Sequence, residues 1–165
     1  MRSSLGIVNI FDIDEQDSKI EFPEDTLAVT KCLVNGKETF LADFIFENGI
    51  NTQLPLVADY NGTYINVSIK SVSKENKTVD LYAPVFAGKE YRFAKPVSDY
   101  AKSFEEHLQG FKDLKPIFSC NCVLNYLYGK LDGKATPPFA GPVTFGEIAY
   151  QLLNQTLVYA VVLDK

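Results

Sequence analysis

Two Asn-Gly pairs, Asn35-Gly36 and Asn61-Gly62, constrain this chain more than any other feature, because each lies between stretches that read as strands. Both residues of such a pair tolerate positive φ, which is what the tight turn of a β-hairpin demands. The second pair separates residues 54–58 from residues 64–70, where Ile65, Val67 and Ile69 alternate with Tyr64, Asn66, Ser68 and Lys70. Alternation with period two gives a strand one dry face and one wet face. Residues 5–13, 26–34, 78–86 and 90–93 are further apolar or alternating runs joined by short polar connections. The first ninety-odd residues therefore predict an antiparallel meander.

The period changes after Pro96. Val97, Tyr100, Ala101, Phe104, Leu108 and Phe111 recur at spacings of three and four, with polar residues between them. This predicts one amphipathic helix over about 96–109, with Gly110 as a left-handed cap. An antiparallel sheet with one apolar face must bury it against something, and this helix is the expected cover. Beyond it the sequence predicts a short strand at 117–119, a shorter helix over 123–130, a loop over 132–141 and two closing strands, 142–150 and 155–163. The loop holds Gly133, Pro137, Pro138 and Gly141 and reads as a surface loop or a lid. The expected fold class is α+β, a largely antiparallel β-sheet covered by one long amphipathic helix and one shorter helix. With 165 residues, 46% of them apolar and 22% charged, a single domain over 1–165 is expected, with a weak sub-boundary near 49–54.

Charge narrows the partners. Sixteen Lys and Arg against twenty-one Asp and Glu leave no basic excess to neutralise a phosphate backbone or an anionic bilayer, so neither nucleic acid nor membrane is expected. The apolar stretch near the N-terminus is broken by Gly6 and Asn9 and is followed at once by Asp12 and Asp14, which fits neither a signal peptide nor a spanning helix. Three cysteines, Cys32, Cys120 and Cys122, are too few and too odd for a disulfide framework, and the expected compartment is the cytoplasm.

Chemistry-bearing residues are densest at Phe118-Ser119-Cys120-Asn121-Cys122, a strand that runs into a helix. A helix N-terminus can lower a cysteine's pKa, yet free cysteine is more often a buried small hydrophobe. Cys-x-Cys is half of a metal site, but the remaining soft ligands are Cys32 and the lone His107, so no metal and no cofactor is expected. No nucleophile signature surrounds either cysteine. Glu147, in an otherwise apolar closing strand, either faces solvent by alternation or lines a pocket.

Residues 118–122, then Gly141-Pro142-Val143-Thr144-Phe145-Gly146-Glu147-Ile148-Ala149, then Asn154-Gln155-Thr156-Leu157-Val158 resemble, in that order, the C-terminal half of the FIST family. The resemblance implies an intracellular sensory domain that binds small molecules, amino acids or related metabolites, and has no catalytic activity. It implies ligand-binding positions at Cys120, Asn121, Phe145, Gly146, Glu147 and Thr156. The pattern departs from the family where an arginine expected soon after the cysteine gives way to Val123-Leu124-Asn125. An alternative is a protein-interaction or homodimerisation module carried by Tyr126, Leu127, Tyr128 and Phe139; a thiol enzyme or redox sensor using Cys120 or Cys122 ranks third.

Overall fold

A computed structural model describes residues 2–145, 147–149 and 151–163, and of 147–149 and 151 the backbone alone. In chain order the elements begin with β1 (Arg2–Val8), β2 (Ile20–Glu21), β3 (Thr26–Val29), β4 (Lys31–Val34), β5 (Lys37–Phe40) and α1 (Leu41–Glu47). There follow β6 (Leu56–Asp59), β7 (Tyr64–Val67), β8 (Ile69–Ser73), β9 (Thr78–Val85), β10 (Glu90–Phe93) and α2 (Tyr100–Leu108). The chain ends with β11 (Phe118–Cys122), α3 (Val123–Tyr128), β12 (Val143–Thr144), β13 (Glu147–Ala149), β14 (Gln151–Leu153) and β15 (Leu157–Leu163).

These elements form two compact units, one built from residues 11–96 and the other from residues 1–10 together with 97–165. The residues near 49–54 lie inside the first of these.

Residues 11–96 form a barrel. One sheet runs β5-β4-β2-β10-β6-β7 and a second runs β3-β9-β8. Thr30 alone separates β3 from β4, and Ser68 alone separates β7 from β8, so each pair is one strand bent at a single residue and shared by both sheets. The circuit therefore closes through β2, β10, β6, the bent β7/β8, β9 and the bent β3/β4. Closure removes the exposed edges that an open meander would leave, and only the β5 hairpin projects beyond it. Alternation then does its usual work: Val79, Leu81, Ala83 and Val85 of β9 are buried among Ile20, Leu56, Val67 and Tyr91. Both Asn-Gly turns form as their residues require, with Asn35 and Gly36 at φ 51° and 80° and Asn61 and Gly62 at 57° and 89°.

Residues 1–10 and 97–165 build a four-stranded sheet in the order β1-β15-β11-β12, with β13 and β14 as a separate ribbon. β1 and β11 flank β15 antiparallel, whereas β12 pairs with β11 in parallel. Directly opposed residues share a face, so Val8, Leu157 and Asn121 lie in one row and Gly6, Tyr159 and Ser119 in the next. On that face Val8 and Leu157 pack with Phe104 and Leu108 of α2 and with Leu131 and Phe139.

The expected α+β arrangement, a sheet under one long helix, is not what forms. The molecule is mostly β, 41% strand against 16% helix, and its α-helices span seven, nine and six residues. The meander buries most of its dry face by closing on itself, and the helix that packs against its core is the short α1, through Leu41, Ala42 and Ile45, not α2. Asn66 and Ser68 are buried as well, so the wet face expected of β7 is not wet. The helix expected over 96–109 starts only at Tyr100, capped by the Asp99 side chain, which accepts from the Lys102 N–H at 3.0 Å. At its other end Gly110 takes no left-handed turn; the chain tightens into a 3-10 turn, Gln109–Phe111. No helix among the described residues is long and apolar enough to cross a membrane.

Candidate functional site

Asn121 stands where the four-stranded sheet turns into α3, on the core-facing side and 7% exposed. Its side-chain Oδ1 accepts from Asn125 Nδ2 at 3.0 Å, one helical turn further along. Asn125 Oδ1 in turn accepts from the Tyr100 hydroxyl. Burial pushes the Tyr100 phenol well above its usual range, and a hydrogen bond with the Gln155 side chain works in the opposite direction without cancelling that shift. The phenol thus keeps its proton across all ordinary pH and donates it to Asn125. From Tyr100 the relay has one polarity, through Asn125 to Asn121, and a relay of that polarity leaves the Asn121 Nδ2 hydrogens as its unspent end.

Asn121 also lines a cleft of about 430 Å³, together with Tyr126, Leu131, Lys134, the segment 135–141 and Val143. The volume lies in the range of small-molecule sites, and the walls are largely apolar, from Leu131, Pro137, Pro138, Phe139 and Val143. The far wall is the loop expected over 132–141, and it is pinned. Phe139, 3% exposed, packs its ring against Tyr159 and Phe111 at centroid distances of 5.2 and 5.9 Å. Its N–H donates to the Thr136 carbonyl at 2.8 Å, and the Thr136 hydroxyl returns a bond to the Phe139 carbonyl at 3.1 Å. Gly141 lies so close to β11 that a Cβ there would fall 1.5 Å from the Ser119 carbonyl oxygen. Beside it, the Asn121 N–H donates to the Pro142 carbonyl at 3.0 Å. A second hollow of about 400 Å³ on the α2 side of the same loop has no counterpart to the buried Asn121 donor among its lining residues.

Of the residues the resemblance singled out, Asn121 lines the cleft. Thr156 is fully buried, its carbonyl accepting from the Cys122 N–H at 3.0 Å. Cys120 is half-buried on the opposite face of β11, in register with Val158. Phe145 is 94% exposed. Gly146 lies outside the described residues, as does the Glu147 side chain; the Glu147 backbone pairs with Leu153. Phe139, expected as a carrier of an interaction surface, is instead a core residue, whereas Leu127 is exposed. None of the three cysteines is in a disulfide, and burial pushes the Cys32 thiol up to about 11. His107 is exposed on α2, with its ring against Phe111. No group of three or more His, Cys, Asp or Glu able to hold a metal occurs among the described residues.

Tyr100, Asn125 and Gln155 are the functional candidates that sequence reasoning missed. The signal was present: Tyr100 sits on the apolar stripe of α2, and Asn121 and Asn125 are four apart across a strand-to-helix junction. A polar residue at a core position needs a partner, and here the partners are one another.

The chain belongs to a family of unknown function, DUF6976, whose profile matches residues 1–163. That assignment overturns the FIST resemblance, whose short blocks are each too common to define a family. No curated protein and no solved structure matches the chain.

Proposed function

We propose that this member of the family binds a small molecule in the cleft between β11 and the 132–141 loop. The observation that carries the reading is the buried relay that ends in an unspent, oriented amide donor on an apolar cleft. A protein gains nothing in stability from aiming a fixed donor at water, whereas a ligand acceptor would complete the chain. The reading is one of binding, and the described lining residues include no paired acid and base. A signalling output had rested on the FIST resemblance alone and forms no part of the proposal. Three thiols outside any disulfide support a cytoplasmic setting.

A thermal-shift screen against common metabolites tests the reading. A ligand present at a hundred times its Kd stabilises by about 2.7 kcal/mol, worth several degrees in a chain of this size. The shift should vanish in Asn121→Leu and persist in Phe145→Ala. A shift that survives Asn121→Leu would place binding elsewhere.

A second reading, self-association, is favoured by one row on the outer face of the four-stranded sheet, where Leu5, Ala160 and Phe118 lie in register. Leu5 and Phe118 are 47% and 55% exposed. Sedimentation of a strict monomer at high concentration would dismiss it.

A further inference from the structure

The chemistry of the cleft lining limits which molecules can fill it. Tyr126 has spent its hydroxyl proton on Asp132, at 2.5 Å, and Thr136 has spent its own on Phe139. Among the described lining residues, the side-chain hydrogens with no partner belong to Asn121 Nδ2 and Lys134 Nζ. No aspartate or glutamate is among the described lining residues, in a chain whose net charge is -5. No carboxylate pairs with Lys134 among the described residues; the one nearest in sequence, Asp132, accepts from Tyr126. The cleft therefore offers donors and one positive charge, against walls of proline, leucine, valine and phenylalanine.

Resting on the reading that this cleft binds a ligand, we propose that it takes a small organic carboxylate with an apolar body. One carboxylate oxygen accepts from Asn121 Nδ2, the charge faces Lys134, and the body lies against Pro137, Pro138 and Leu131. An amine would meet a cation and find no anionic partner among the described lining residues. A phosphate would leave most of its acceptors unmet by two side-chain donors.

Three probes of one size and one ring separate these chemistries: phenylacetate, phenylacetamide and phenethylamine. Each is titrated into the intact protein while the backbone amides of residues 131–141 are followed by NMR, with Lys134→Gln as the variant because Lys134 is exposed and outside the core. Phenylacetate should bind best, phenylacetamide about fivefold more weakly, as an exposed charge pair is worth, and phenethylamine weakest. Lys134→Gln should erase the preference for phenylacetate and leave phenylacetamide unchanged. If phenethylamine perturbs 131–141 as strongly as phenylacetate does, or the preference survives Lys134→Gln, the ligand class is wrong while the cleft stands. If none of the three perturbs these amides, the ligand class and the cleft reading fall together.

Discussion

Gly141 carries more structural consequence than any titratable residue in the cleft. Its missing Cβ lets the loop lie directly on the β11 backbone, where a carbonyl cannot swing aside as a side chain could. Gly141→Ala should destabilise by about 1–3 kcal/mol, the cost of forcing atoms into a filled space, and urea unfolding would show it as a lower midpoint at unchanged slope. Asn125 is the other pivot. Asn125→Leu removes the acceptor of the Tyr100 hydroxyl proton and the donor to the Asn121 side-chain oxygen, a loss of about 1–3 kcal/mol that should be far from additive with Tyr100→Phe. Cys32, 2% exposed in the barrel interior, makes a prediction in pH. Its thiol is pushed by burial from 9.0 to about 11, so the unfolded chain loses this proton before the folded one does. Stability from this group is thus complete below pH 9 and falls as pH rises toward 11. Burial raises Tyr60, Tyr91 and Tyr100 in the same sense, so the slope of wild type minus that of Cys32→Ala isolates the thiol. Equal slopes would show that Cys32 is not buried as described.

At the scale of elements, the hairpins were the most legible part of the chain, because an Asn-Gly pair encodes its own backbone. Gly36, at φ 80°, has open space around it, so Gly36→Ala tests conformation alone. A loss of about 1 kcal/mol is expected, and no loss would mean that the β4-β5 turn is not left-handed. The helices were less legible. α1 was hidden because Leu41, Ala42 and Ile45 bury too short an apolar stripe to stand out beside the alternating strands around it. α2 was overextended, since Val97 continues its apolar period although the Asp99 cap fixes the start at Tyr100, three residues later. β2, two residues long, carries no period at all and exists because β4 and β10 pair with either side of it. Of the site, Asn121 could be named from its neighbours in sequence, but the relay joins residues 100, 121, 125 and 155, and a spacing of that kind is set by tertiary pairing.

For the molecule as a whole, one compact unit is inserted into the other. Residues 11–96 leave after β1 and return before α2, while β1 and the C-terminal β15 pair over seven residues each, Arg2 with Leu163 through Val8 with Leu157. The barrel owns its core and its closure, so residues 11–96 expressed alone should unfold in one cooperative transition with a strand-rich circular dichroism spectrum. A chain without a transition would show that it depends on the rest. Sequence periodicity could not reveal this organisation, since both units are built of short strands and the crossing points, after Ile10 and after Pro96, carry no linker-like composition. The central claim is narrower: the 132–141 loop and β11 hold a donor ready for a ligand's acceptor. The side-chain amide of Asn121 reports on it directly. In a 1H–15N spectrum of the intact protein titrated with phenylacetate, the Asn121 NH2 pair should shift downfield and saturate together with the backbone amides of 131–141. An Asn121 NH2 pair that stays put while phenylacetate binds would contradict the account.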